Sequence, residues 1–391
     1  MKMPLRQNTP NQNSIFRVFS INAIPLGYVR CPGPVPGRTC GLYTPLTRIS
    51  CDKSRQQCRK SATKALCQPG RAVMLGIDIG CGAIKLAAMH RGRRGWRLQA
   101  YAVQNLPVGA NAGAVTDPVA LRGTLIAALG KLGVRLRDAA VALNSAEAVT
   151  RTIRLEAGLT DQDIENRIAV EAAEHLPFAL ADASLDFCRL PANDDVNAAG
   201  QDVLLVACRR DCVQQRVRLL TELGIRPAIV DLDALALRRI AGETSLTATQ
   251  VMLDLGASGF RLHAFAGGRL LYSRAHHRVL SAECRQASVQ DAGQESVQES
   301  ESVSGLIQEI KRAIQLFLIS TACKEPVNIV VAGGLAPSPG LVSGISTVCG
   351  RPVRLIRPPS EVMPHGRVDL SQWRAMAPQL SLACALAMRS G

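Results

Sequence analysis

Leu75-Gly76-Ile77-Asp78-Ile79-Gly80-Cys81-Gly82 and Val251-Met252-Leu253-Asp254-Leu255-Gly256-Ala257-Ser258 repeat one design. Each is an apolar run that ends in Asp-x-Gly and small residues, and each is followed by another strand-like segment. Glycine lets the backbone turn tightly and come close to a ligand, so that its N–H groups can point at phosphate oxygens. An aspartate at a strand end can hold Mg²⁺ through water, because that ion keeps most of its hydration shell. One such hairpin is weak evidence, since many strands end this way. Two at domain-scale spacing predict a cleft that grips a nucleotide's phosphates from both sides. A third element agrees: Ile329-Val330-Val331-Ala332 runs into Gly333-Gly334, and Pro339-Gly340-Leu341 then opens a helix. Close approach to a flat ring or a sugar is one reason for such a pair. An ordinary strand-to-helix turn explains this motif equally well when it is taken alone.

Outward from these stretches, strands and helices alternate. Val73 to Ile79 reads as a buried strand, with Ala83 to Met89 as its partner across a Gly80-Cys81-Gly82 hairpin and Arg91 to Gly95 as the next, charged turn. Asp117-Pro118 opens a helix as cap and first-turn proline. Leu121, Leu125, Leu129 and Leu132 share one face of it, and Gly133 ends it. Strands follow at Ala139–Leu143 and Val149–Leu155. Thr160, with Asp163 three residues on, resembles a capping box ahead of a helix with Ile164, Ile168, Ala172 and Leu176 on one face. Asp202–Cys208 is a strand, Asp211–Leu223 a helix stopped by Gly224, and Arg226–Leu232 a strand. Glu283 to Ser304 is a polar loop or helix start. Leu306–Ile319 is a helix, Val327–Val331 a buried strand and Gly340–Val348 a short helix. This alternation predicts an α/β architecture.

Composition narrows the function classes. The chain has 391 residues, 47% hydrophobic and 20% charged, which suits a folded globular protein with two or three domains. No apolar run reaches the roughly 18 residues that a membrane span needs. The net charge of +15 is concentrated at the start. Residues 1–73 carry 12 Lys and Arg against the single acid Asp52, and the rest is close to balance. A nucleic-acid partner is therefore not indicated, since such charge supplies only non-specific affinity. Of the 13 cysteines, five lie in this extension and no two form a C-x-x-C pair, so zinc is not indicated either. Cys208, Cys323 and Cys384 sit among apolar residues and read as reduced core thiols. The extension itself mixes Pro, Gly, Asn, Ser and Arg without periodicity, as a disordered segment does. Met74 directly precedes the first strand. That favours upstream sequence translated from too early a start over a basic tail touching lipid.

Two phosphate elements and an adenosine-type motif, in this order, resemble the actin and sugar-kinase superfamily. Four stretches narrow the resemblance to the PilM family, the FtsA-like component of type IV pilus assembly. Glu171 to Phe178, with Leu185-Asp186-Phe187, resembles the family's helix end, Pro-Phe turn and strand. Val230 to Leu237 is similar to its first crossing segment, Glu309 to Phe317 to its helix ahead of the adenosine loop, and Val331 to Gly334 with Pro339 to Leu341 to that loop. The resemblance covers about residues 74–391. It implies an actin-like two-lobed α/β fold with an inserted FtsA-type small domain. Lobe 1 would hold residues 74–155 and 226–247, the insert 156–225 and lobe 2 248–391, after a basic extension over 1–73.

For function the resemblance implies an assembly scaffold that binds ATP with Mg²⁺ between the lobes. Asp78, Gly80, Cys81, Gly82 and Lys85 belong to the first phosphate element by position. Asp254, Gly256, Ala257 and Ser258 belong to the second. Glu309, Arg312, Gly333 and Gly334 fall near ribose and base, and Asp78 and Asp254 would hold Mg²⁺ through water. Asp233 takes the crossing-segment position that orients a water in hydrolytic relatives. The implied partner is the cytoplasmic N-terminal segment of a PilN-like inner-membrane protein, beside other pilus components. The implied location is the cytoplasmic face of the inner membrane, and self-association stays open. The chain departs from the pattern where the first loop has Cys81 and Gly82 in place of Ser or Thr. Each lost hydroxyl donor is worth on the order of 1 kcal/mol, so binding without efficient hydrolysis is expected. The other readings are an active ATPase or kinase of the same superfamily and an FtsA-like polymer-forming membrane adaptor. The tail Leu380–Met388 is apolar nearly all round, which suits core packing better than the amphipathic anchor such an adaptor needs. Lys85 reads equally as a phosphate ligand or a sheet-edge lysine. His276-His277 lacks a third ligand nearby, and Trp96 and Trp373 read as packing residues.

Overall fold

In a computed structural model of the chain, the described residues are 73–93, 95–107, 117–134, 136–190, 200–241, 248–277, 297–321, 323, 327–358, 363–364 and 368–389. The expectations for residues 1–72 and for most of the polar stretch before Ser304 lie outside them.

The first hairpin forms as the sequence implies. β1 (Met74–Ile79) and β2 (Ala83–Gly92) pair antiparallel, and β3 (Gly95–Asn105), which the periodicity does not reveal, continues the meander. β4 (Asp138–Leu143) and β8 (Arg226–Leu232) then add in parallel beside β1. The second hairpin is built the same way. β9 (Thr249–Gly256), β10 (Gly259–Ala266) and β11 (Arg269–His277) form an antiparallel meander. β12 (Val327–Ala332) and β13 (Val353–Leu355) add in parallel beside β9. The sheet orders β3-β2-β1-β4-β8 and β11-β10-β9-β12-β13 therefore match strand for strand. The repeat seen in two octapeptides extends to two whole sheets.

Helices sit where their caps put them. α1 (Pro118–Leu132) is capped by Asp117, which accepts the Val119 N–H, and ends at Gly133 with φ 67°. α2 (Asp161–His175) has a full capping box: Thr160 and Asp163 exchange backbone-to-side-chain bonds of 3.2 and 3.1 Å. Its buried Ile164, Ile168 and Ala172 cover the separate small sheet β5-β7-β6, made by Ala148–Leu155, Gln201–Arg209 and Ala183–Arg189. α3 (Arg210–Glu222) leads from that sheet back to β8, and α4 (Asp233–Ile240) follows β8 directly. α5 (Val297–Thr321) and α6 (Leu341–Cys349) pack the five-stranded unit through Ile307, Ile310, Phe317 and Ile345.

The C-terminus departs from the expected division. Residues 248–391 do not stay with the second sheet. β14 (Met363–Pro364) pairs with β3, and α7 (Leu370–Met376) and α8 (Ser381–Ala387) pack on the first sheet. α8 is buried along its length, as the all-round apolar tail predicts. Gly76 makes this seat possible, because a Cβ there would lie 2.7 Å from the Ala387 amide and overlap the Ala383 carbonyl. Arg389 closes the tail with a 2.9 Å ion pair to buried Asp231. One core runs from Leu75, Ile77 and Leu86 through to Met252, Phe265 and Val330, so the two sheets share packing. Trp373 is buried in the layer between α8 and β2, and Trp96 packs against it. Cys208 and Cys384 are buried, and burial pushes the Cys208 thiol up to about 12 and raises that of Cys384 as well. Such thiols are inert packing groups. No helix among the described residues is long and apolar enough to cross a membrane.

Candidate functional site

The two hairpins present their special residues to each other. Gly80 closes the first turn by donating its N–H to the Ala83 carbonyl at 3.1 Å, and the Gly82 carbonyl accepts from Leu106 at 2.9 Å. At the second tip, Gly256 and Gly259 pair across Ala257-Ser258. The tips meet, since a Cβ on Gly82 would stand 2.7 Å from the Ala257 methyl. Cys81 and Ser258 are exposed there.

Behind the tips, each strand-end aspartate faces a cation seven residues on. Asp78 is in register with Lys85, and the Lys85 Nζ lies 3.0 Å from its Oδ2. Asp254 is in register with Arg261, whose Nη2 hydrogen-bonds the Asp254 carboxylate. Both aspartates are buried, at 6% and 5% exposure. Burial alone would raise the Asp254 pKa. The charge of Arg261, and then that of Lys85 from the other hairpin, outweighs burial and holds the carboxyl below its usual range.

Arg261 reaches further than its own hairpin. Its Nε lies 3.3 Å from Oδ2 of Asp233, at the start of α4 and 1% exposed. The other oxygen, Oδ1, accepts from the Ser145 amide at 3.0 Å, the Ala234 amide at 2.7 Å and the Ser145 hydroxyl. The position expected to orient a water is thus a fastened node between three elements. Burial works against the Arg261 charge, but Asp254, Asp233 and Asp78 more than offset it and raise its pKa. His263, two residues on along the same strand face, is fully buried. Its Nδ1 meets the Ser273 hydroxyl at 3.0 Å and its Nε2 has no hydrogen-bond partner. Burial pushes its pKa down, keeping the ring neutral.

Gly333 lies against this cluster. With φ 99°, it occupies a conformation that side chains rarely adopt, and a Cβ there would collide with the Asp254 carboxylate and come within 2.7 Å of the Leu255 amide. The Leu335 amide then bonds the Leu255 carbonyl at 3.1 Å, tying the glycine loop to the second hairpin. Glu309 and Arg312 stand elsewhere, on α5. Glu309 is half-buried, and its charge acts on His276, whose ring stacks on Phe260 at 4.7 Å. Arg312 is exposed. The structure therefore brings Asp78, Lys85, Asp254, Asp233 and Gly333 together, while Glu309 and Arg312 are carried by α5, which packs on the second sheet through Ile307, Ile310 and Phe317. Sequence reading missed Arg261, Ser145 and His263. Arg261 had a signal, because it follows Asp254 by the same interval that separates Lys85 from Asp78. Ser145 had none.

Comparison with known proteins agrees with this architecture. The model of the family described as "Type IV pilus assembly protein PilM" matches residues 76–281 and 300–391. The solved "PilM-PilN type IV pilus biogenesis complex" is similar at 23% identity and a TM-score of 0.67, over 82% of this chain and 99% of that one. The ethanolamine utilization protein EutJ from Carboxydothermus hydrogenoformans is similar at 13% identity and a TM-score of 0.48, over 83% and 91% of the two chains. The cytoplasmic domain of EpsL, an inner-membrane component of the type II secretion system of Vibrio cholerae, gives 12% and 0.39 over 82% and 96%. With the family match over most of its length and two equivalent sheets in the actin-like arrangement, the chain belongs to the PilM family of type IV pilus assembly proteins.

Proposed function

We propose that this chain is a scaffold of the type IV pilus assembly machine. In this reading it binds ATP between its two Asp-x-Gly hairpins and docks the cytoplasmic N-terminal segment of a PilN-like inner-membrane protein. The observation that carries the nucleotide reading is the pair of equivalent hairpins, which meet tip to tip at Gly82 and Ala257 with a buried acid and a cation behind each. Backbone N–H groups at such tips suit phosphate oxygens, and Lys85 and Arg261 supply positive charge there. The partner reading rests on family membership and on a similar structure being a PilM-PilN complex. Capture of an extended peptide on a groove or sheet edge is an ordinary mode. A protein docked in this way would sit on the inner membrane through its partner.

Hydrolysis is expected to be slow. Asp233 is held by Ser145, Ala234 and Arg261, so it is not placed to orient a water freely. Mg²⁺ fits less well than the nucleotide itself, because Asp78 and Asp254, the expected holders, already face Lys85 and Arg261. Calorimetric titration of the full chain with ATP tests the reading. One saturable site, weakened about tenfold or more in Lys85→Ala through loss of a charge-assisted contact, is the expected result. No heat from folded wild-type protein would remove ATP from the proposal and leave pilus assembly alone. Pull-down with a synthetic N-terminal peptide of the PilN-like protein tests the docking claim separately.

A further inference from the structure

The geometry points to a cleft that supplies its own cation: Arg261 stands where a divalent ion would neutralise Asp254 and Asp233, so the carboxylate cluster takes no metal. The inference rests on the nucleotide reading only for its consequence, that ATP binds here without a protein-held Mg²⁺.

Asp254 accepts from Arg261 through Oδ2, and its Oδ1 lies against the Gly333 loop. Asp78 accepts from the Lys85 ammonium through Oδ2. Asp233 spends Oδ1 on Ser145 and Ala234, and its buried Oδ2 accepts no hydrogen bond but lies 3.3 Å from the Arg261 Nε as an ion pair. Every carboxylate in the cluster thus faces a cation or is spent on donors. A metal would have to displace a guanidinium that touches two of them. Among the described residues, no group of three His, Cys, Asp or Glu side chains converges to hold a metal ion.

Charge and hydration favour the same outcome. Lys85 and Arg261 bring two positive charges to the cluster, the charge of one divalent ion. Guanidinium is weakly hydrated and has a planar fork of donors, so it is buried between two acids at lower cost than Mg²⁺, which dehydrates reluctantly. The remaining titratable group on this face, His263, is neutral and does not compete for the acids. The first hairpin shows the contrast: Lys85 is a point charge that answers its own Asp78, whereas Arg261 spans from its own hairpin to α4.

Mn²⁺ alone, followed by electron paramagnetic resonance in full-length protein, decides the matter. Wild type is expected to hold no stoichiometric Mn²⁺. Arg261→Gln, which removes the charge and shortens the side chain while keeping it polar, is expected to gain one ion that Asp254→Asn in the same background removes. One Mn²⁺ in wild type, lost on Asp254→Asn, overturns the inference. So does a folded Arg261→Gln protein that binds none. Should that variant not fold by circular dichroism, wild-type ATP affinity with and without EDTA decides. Equal values support the inference, and a loss of about tenfold or more in EDTA overturns it. Failure of ATP to bind at all, with the Mn²⁺ results as expected, sinks the nucleotide reading and leaves the resident cation standing.

Discussion

The two hairpins are the same device with different reach. In β1–β2, the lysine opposite Asp78 stays within its hairpin. In β9–β10, the arginine opposite Asp254 also reaches Asp233, which belongs to the other sheet's connections. An ammonium is compact and flexible, and answers one carboxylate well. A guanidinium offers five donors in a rigid plane and can bridge two. The difference teaches that an internal repeat can conserve a local pairing while one copy gains a long-range contact. Here that contact joins β10 to α4 through a largely buried pair, which salt screens only weakly.

Removing the bridging copy should cost most. Arg261→Ala leaves Asp254 and Asp233 buried without their cation, and a loss of about 3–5 kcal/mol in urea unfolding is expected. A loss no larger than that of Lys85→Ala would erase the distinction between the hairpins. Gly333→Ala should come next, at about 2–4 kcal/mol, because it combines a disfavoured backbone angle with overlap at Asp254. Its partial rescue by Asp254→Ala would show that the carboxylate is one obstacle beside the Leu255 backbone. Lys85→Ala should cost about 1–3 kcal/mol, since only Asp78 loses its partner. The exchange Arg261→Lys sharpens the comparison, because it keeps the charge but should lose the reach to Asp233. In a double-mutant cycle with Asp233→Asn, the coupling present in wild type should fall close to zero.

The smallest effect should appear far from both hairpins. Thr160→Ala removes the α2 cap and with it the hydrogen bonds that hold the Asp163 pKa down. A carboxyl with a depressed folded pKa stabilises above its unfolded value, and that contribution fades as pH falls through the folded one. The stability difference between wild type and Thr160→Ala should therefore be present at neutral pH and shrink below about pH 4. Carbon-detected NMR titration should show Asp163 returning to an ordinary value in the variant. An unchanged Asp163 would show that the cap is not what depresses it.

Much of this was legible because it is local. The strand ends, the Asp-x-Gly turns, the Asp117 cap and the Thr160–Asp163 box each depend on residues within a few positions of one another. β3 was missed because its exposed and buried residues do not alternate cleanly, and its form is set by pairing with β2. Arg261 shares with Lys85 the seven-residue spacing from its aspartate, but its reach to Asp233 is a long-range contact that such spacing does not encode.

By itself, the sequence determined that two equivalent α/β units exist and where each hairpin turns, because apolar periodicity and glycine placement act over one or two turns of chain. Only the tertiary structure decided that the C-terminal helix returns to the first sheet against Gly76, and that Ser145 and Arg261 converge on Asp233. Those contacts join residues far apart in the chain. They are fixed by which buried surfaces fit and which buried charges find partners, and neither condition leaves a short-range pattern in the sequence.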